Sequence, residues 1–167
     1  MARIAGNSAH SDVAHWVMSL GATLLTMALT VAFGADAAAP AADLLREAKS
    51  LQAVCGKCHN LQIVMNTPRS LDDWRDTMQK MVDRGANGTD DQYDDILDYL
   101  HRTMTTIDVN SADADDLAAV LNVPDATVRL IVARRTVKKF ADLADLKSVP
   151  GVDAATVDSK SKLLYFQ

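Results

Sequence analysis

Only two cysteines occur in the 167 residues, and they stand three positions apart in Cys55-Gly56-Lys57-Cys58, with His59 directly after the second. No other cysteine can pair with either one, so a disulfide framework does not organise this chain. Cys-x-x-Cys-His is the attachment signature of c-type haem. The spacing follows from the chemistry: two thiols add across two vinyl groups on one porphyrin edge, and the adjacent imidazole then lies under the iron. Covalent attachment suits a chain with little core of its own, and here aromatic residues make up only 5%. A redox dithiol reading wants a thioredoxin-like βαβ setting, which the pattern lacks. A zinc site would need Cys55, Cys58, His59 and His101, of which the neighbours Cys58 and His59 are awkward joint chelators.

The first 37 residues read as a targeting segment. Positions 17–33 are mostly apolar, and Ala35-Asp36-Ala37 has the small-x-small form of a processing site, with cleavage expected after Ala37. The alternative is an uncleaved membrane anchor, since the run is near the short limit for spanning. Either way the remainder is exported, to the periplasm or beyond, and the membrane enters only through an uncleaved segment.

Helical periodicity begins after residue 42, with Leu44, Ala48, Leu51 and Cys55 at steps of three and four. Residues 60–69, which include Pro68, read as a loop. Ser70 with Asp73 opens a second helix whose apolar stripe is Leu71, Trp74, Met78, Met81 and Val82, and Gly85 can close it. Thr89 with Gln92 forms a capping box for a third helix, with Tyr93, Ile96, Leu97 and Leu100 on one face. Asp90, Asp91, Asp94, Asp95 and Asp98 read as its solvated face, or as a docking surface for a basic partner. Residues 103–106 are short and polar and read as a linker. Beyond them the chain repeats at an offset of 29: Leu117 with Leu146, Asn122 with Gly151, Val123 with Val152, Val128 with Val157. Each unit reads as helix, tight turn, helix, so the fold expected is all-α.

A thioether opposite His59 would favour a high potential and simple electron transfer. Met65, Met78, Met81 and Met104 are the candidates beyond residue 37, with His101 the other available ligand. Residues 43–102 resemble a small monohaem cytochrome c domain. The resemblance rests on Trp74, Met81, Arg84-Gly85-Ala86 and an acidic helix ending Asp98-Tyr99-Leu100. It implies a small helical bundle around one covalent haem c, with the last helix crossing the first. It nominates Met81 as the distal iron ligand, Met78 being the second candidate, beside His59 as the proximal one. Trp74 is expected to pack on the haem, with its indole available to a propionate, and Arg69 and Arg84 are placed to neutralise propionates.

Residues 107–166 resemble the tandem helix-hairpin-helix module of exported competence-type DNA-binding proteins. The carrying residues are 107–112, Leu117, the turn Leu121-Asn122-Val123-Pro124, 131–135, then Phe140, Leu143, Leu146 and the turn Val149-Pro150-Gly151-Val152-Asp153. In DNA-binding members each hairpin has the form Gly-x-Gly, whose backbone N–H groups hold a phosphate. Here Asn122 and Pro124 replace both glycines of the first hairpin, and Asp153 replaces one of the second. Proline has no N–H to donate and a carboxylate repels phosphate. From 107 to 167 there are eight Lys and Arg against nine Asp, short of the basic face that phosphate neutralisation requires. One local basic patch exists, at Arg129, Arg134, Arg135, Lys138 and Lys139.

The division expected is therefore a signal peptide at 1–37, a monohaem cytochrome c domain at 38–102, a linker at 103–106 and a helix-hairpin-helix domain at 107–167. The function expected is an exported one-electron carrier that is not itself an enzyme. Its hairpin module would serve docking or assembly, with redox proteins, a periplasmic dehydrogenase or copies of itself as partners. An exported DNA-binding protein with an accessory haem domain is the competing reading.

Overall fold

Two buried clusters, one on either side of Thr105, organise the chain (a computed structural model describing residues 38–167). The expected signal segment and its cleavage after Ala37 lie outside the described residues. Among the described residues, no helix is long and apolar enough to cross a membrane. The described part is mostly helical, as the periodicity predicts, with two two-residue strands.

In the N-terminal half, α1 (Ala38–Val54) runs directly into a single 3₁₀ turn at Cys55–Lys57, so the cysteine motif sits at the end of a long helix. Next come α2 (Gln62–Met65), α3 (Leu71–Asp83) and α4 (Asp90–Met104). The α2 turn falls within the stretch expected as loop. It is opened by the Asn60 side-chain oxygen, which accepts from the Gln62 N–H at 3.0 Å, and is too short to show a hydrophobic period. Ser70 caps α3 by accepting from the Asp73 N–H, and Thr89 and Gln92 form the reciprocal capping box of α4. Helix α1 packs along α4, so that Leu51 and Val54 meet Trp74, Ile96, Leu100 and Met104. Asp95 departs from the solvated face assigned to it. It is only 16% exposed and accepts from Ser50 at 2.7 Å and Arg46 at 2.9 Å across the helix pair.

The C-terminal half comprises β1 (Ile107–Asp108), α5 (Ala114–Leu121), α6 (Asp125–Val137), α7 (Leu143–Lys147), α8 (Ala154–Ser159) and β2 (Leu164–Tyr165). The strands pair in parallel, Ile107 with Leu164 and Asp108 with Tyr165. The internal repeat is the core: Leu117 and Leu146 are both fully buried, and Val128 and Val157 nearly so. Asn110 joins the two repeats. Its amide donates to the Phe140 carbonyl at 3.0 Å and accepts from the Phe140 N–H at 2.8 Å, filling the place of a strand neighbour.

Asn122 closes α5 at φ 53°, ψ 52°, a left-handed conformation that asparagine tolerates and β-branched residues resist. Asn122→Gly is expected to leave stability within about 0.5 kcal/mol, and Asn122→Val to cost about 1–2 kcal/mol. Paired urea titrations check this, and equal midpoints for the two variants would contradict it.

The segment 103–106 is not a linker. Thr103 and Met104 complete α4, Thr105 is 1% exposed, and Thr105 bridges Arg69 as a strand would. A polar sequence concealed this because the threonine hydroxyls bond locally: Thr103 donates to the Tyr99 carbonyl and Thr105 to the Leu100 carbonyl. All the described residues lie in one compact unit. Lys160 staples its halves together, its ammonium donating to the Arg102 carbonyl at 2.8 Å and to the Val120 carbonyl.

Burial, helped by the nearby Arg102 charge, pulls the Lys160 ammonium down from 10.5 to about 8. Between those values the unfolded chain holds a proton that the folded chain has released, so this group makes stability rise with pH in that window and lose the gain as pH falls through 8. The rise expected is about 1–2 kcal/mol after allowance for partial solvent screening. Lys160→Met should flatten it, which urea unfolding at pH 7.5 and 10 reads directly. Parallel pH profiles for the two proteins would refute the assignment.

Candidate functional site

A largely apolar cavity of about 440 Å³ opens in the N-terminal half. Helix α1 supplies Leu51 and Val54, and the turn after it supplies Cys55, Cys58 and His59. The turn is closed by the Cys58 and His59 N–H groups, which both donate to the Cys55 carbonyl. Cys55 is half-buried, whereas Cys58 and His59 are exposed at the mouth. Helix α2 adds Ile63 and Val64, α3 adds Trp74, Thr77, Met78 and Met81, and α4 adds Tyr93, Ile96 and Leu100. Arg69 and Arg84 complete the lining.

The end of α3 explains the Arg84-Gly85-Ala86 sequence. Gly85 takes φ 96°, the Ala86 N–H donates to the Met81 carbonyl and the Gly85 N–H to the Val82 carbonyl, each at 2.9 Å. This is a Schellman closure, and it fixes the backbone of Met81 against the cavity. Tyr93, read from sequence only as a core residue, pins the following loop. Its hydroxyl donates to the Ala86 carbonyl at 2.8 Å and accepts from the Gly88 N–H at 3.0 Å.

All the nominated residues converge on this cavity: Cys55, Cys58, His59, Met81 and the second candidate Met78. The remaining ligand candidates do not line it. Met65 packs on the cluster behind it, Met104 is buried in that cluster, and His101 bonds Asp116 at 2.7 Å beside a second, polar cavity. Trp74 does not offer its indole outward. Its Nε1–H donates to the Met104 carbonyl at 3.2 Å, and the ring is 3% exposed. The indole hydrogen bond expected toward a propionate is thus replaced by one to the chain.

The cavity suits a flat apolar group with an anionic edge. Its wall is apolar, two cysteines and a histidine stand along one side, and two thioethers come from α3. Arg69 adds an unmet polar demand, since its Nε is buried without a hydrogen-bond partner while the guanidinium lies over Trp74 at 5.5 Å. A redox dithiol fits less well. Burial pushes the Cys55 thiol up, away from the thiolate that exchange chemistry uses. Zinc fits less well too: among the described residues no three of His, Cys, Asp and Glu gather as a metal site.

In the C-terminal half the hairpin turns are committed to contacts within the chain. Gly151 takes φ 86°, and a Cβ there would stand 2.4 Å from the Thr127 hydroxyl, so the two hairpins touch at a position only glycine fits. The Asp153 carboxylate accepts from the Thr156 N–H at 2.7 Å and from its hydroxyl at 2.8 Å, occupying the α8 N-terminus. Those interactions hold the Asp153 carboxyl below the usual carboxylate range. Pro124 stands at the α6 N-terminus with no side-chain cap. Three of the five basic-patch residues bond within the chain: Arg134 to Asp145 and Ser148, Arg135 to the Val109 carbonyl, Lys139 to the Gln167 carbonyl.

No curated protein and no solved structure gives a significant match to the chain. A family model described as a helix-hairpin-helix motif matches residues 103–164, so the motif begins inside the last turn of α4 and takes in both hairpins. The C-terminal part of this chain carries a helix-hairpin-helix motif.

Proposed function

We propose that the chain is an exported monohaem c-type cytochrome, a one-electron carrier whose helix-hairpin-helix half serves docking or assembly. The observation that carries this reading is the convergence of Cys55, Cys58, His59 and the Met78–Met81 pair on one apolar cavity. When bound there, the haem supplies reversible one-electron chemistry. The chain's own residues do the rest. Cys55 and Cys58 would hold the group covalently, and His59 and Met81 would be its iron ligands, with Met78 the second candidate in place of Met81. Arg69 would offer its unpartnered Nε–H to an acidic edge of the group, and the apolar wall would exclude water. The partners proposed are redox proteins, a periplasmic dehydrogenase or further copies of the chain. No catalytic residues are assigned.

The reading is tested on the protein made by export alongside haem-ligation machinery. A c-type α-band on reduction, with colour that resists acid acetone, is the expected result. A weak far-red band in the oxidised form should vanish in Met81→Ala and persist in Met78→Ala. The reverse pattern would move the ligand to Met78, and a colourless protein would end the haem reading altogether.

The second reading is DNA binding, which the helix-hairpin-helix match favours. The self-capped α8 N-terminus and the internally bonded arginines weigh against it. Duplex DNA titrated at rising salt separates the two, because phosphate neutralisation makes affinity fall steeply with salt.

A further inference from the structure

The run from Met104 to Val109 belongs to both halves of the molecule. Met104 is buried in the N-terminal cluster, and Ile107 and Val109 in the C-terminal one. Its backbone is hydrogen-bonded on both sides. Toward the cavity, the Arg69 N–H donates to the Met104 carbonyl at 3.2 Å and the Thr106 N–H to the Arg69 carbonyl at 2.8 Å. The Trp74 indole N–H reaches the same Met104 carbonyl at 3.2 Å. Toward the C-terminus, the Ile107 N–H donates to the Leu163 carbonyl at 2.8 Å and the Val109 N–H to the Tyr165 carbonyl at 3.0 Å. Arg69 and Trp74 both line the cavity, so one ribbon of backbone connects the cavity wall to the first strand of the hairpin half. Arg69 is the link with spare capacity, because its buried Nε has no partner among the described residues.

We propose that filling the cavity is coupled to closure of the β1–β2 strand pair, with Arg69 as the positioning residue that connects them. The proposal rests on the haem reading above. A carboxylate of the bound group takes the free Nε–H and fixes the guanidinium on Trp74. With both side chains held, the Met104 carbonyl keeps its two donors and the 104–109 ribbon opens less often. Local opening is governed by the free energy of the segment concerned, and an occupant that binds the closed form suppresses it. The coupling is reciprocal: a partner that grips or opens the strand pair changes the free energy of seating the attached group in the cavity by the same amount. This gives the fusion of the two halves a physical role, since a docking event on the hairpin half is then felt at the cavity.

The test is native-state hydrogen exchange on the full exported chain, prepared with and without haem-ligation machinery. The amides of Thr106, Ile107 and Val109 are expected to exchange about tenfold more slowly in the loaded chain. Those of Leu117 and Ile131, in the core of the hairpin half, should change by less than about twofold. Arg69→Ala, measured on its haem-loaded fraction, should bring the strand ratio to within about threefold, because its backbone bonds remain and only the side-chain link is lost. Arg84→Ala, which removes a cavity charge but no bond to the ribbon, should keep the ratio. Where Arg69→Ala fails to fold, Trp74→Phe removes the indole N–H while keeping a smaller aromatic ring at that place, and should lower the same ratio. Equal strand rates in loaded and empty chains, a uniform change reaching Leu117 and Ile131, or a ratio untouched in the variants would each overturn the coupling. Absence of the α-band from the ligated preparation would instead overturn the haem reading and the coupling with it.

Discussion

Serine at both Cys55 and Cys58 is expected to abolish covalent haem, leaving a protein whose colour, if any, leaves with acid acetone. The effect should extend to stability. The cavity those cysteines border has a volume of about 440 Å³. An enclosed void of that size would cost on the order of 10 kcal/mol at ~24 cal/mol per Å³, as much as the whole stability of a typical domain. Water entering the mouth reduces the cost but finds few partners on an apolar wall. The double variant should therefore melt at least about 10 °C below the loaded protein, since each kcal/mol is worth several degrees in a domain this small. Its loss should centre on Leu51, Trp74 and Ile96, with the Leu117–Leu146 core less affected. Acid-acetone extraction and a thermal melt read the two effects separately. Retained covalent colour would remove the cysteines from the site, and an unchanged melt would show that the N-terminal half does not need its occupant.

Arg102→Met should be the most damaging single change remote from the cavity. Glu47 is fully buried between α1 and α4, and its Oε1 accepts from the Arg102 Nη2 at 2.6 Å. Its other oxygen has no partner among the described residues, and Arg46 stands 3.8 Å from Oε1. Desolvation raises the Glu47 carboxyl above its ordinary range despite the Arg102 charge. Removing Arg102 strands that charge at a cost of about 2–4 kcal/mol at pH 7, less than a fully buried pair because Arg102 keeps some solvent and Arg46 remains. For an acid whose folded value lies above its unfolded one, the stabilising contribution is complete below the unfolded value and is lost as pH rises through the folded one. The variant's deficit should therefore shrink toward pH 4, where Glu47 takes up a proton instead. Urea titrations at pH 7 and pH 4 measure this, and a deficit that does not change with pH would mean that Arg102 acts through packing alone.

Much of the fold was legible because its signals are local. The Ser70 and Thr89 caps, the Gly85 closure and the left-handed Asn122 and Gly151 turns depend on residues within one helical turn of each other. The 29-residue repeat marked the core of the C-terminal half because Leu117 and Leu146 do the same work in each unit. The misplaced features all depend on distant partners. Asp95 looked solvent-facing by helical phase, but Ser50 and Arg46 on α1 turn it into a contact. Thr103 to Thr106 looked like a linker by polarity, but Arg69 supplies a neighbour from far along the chain. The Trp74 indole was assigned to an external group because nothing nearby in sequence announces the Met104 carbonyl.

The linear chain by itself nominated Cys55, Cys58 and His59 by their spacing, while the choice of Met81, with Met78 second, came from the resemblance to a monohaem cytochrome c domain. Covalent geometry is enough for the first of these, since the cysteine spacing is fixed by the chain itself. Only the tertiary structure decided which methionines reach the cavity, that Arg69 brings an unpartnered donor into it, and that one backbone run serves both the cavity wall and the hairpin half. Each of those outcomes depends on where α1, α4 and the C-terminal strand come to rest. That is settled by the packing of side chains more than fifty positions apart, as Glu47 and Arg102 are, which no short window of sequence contains.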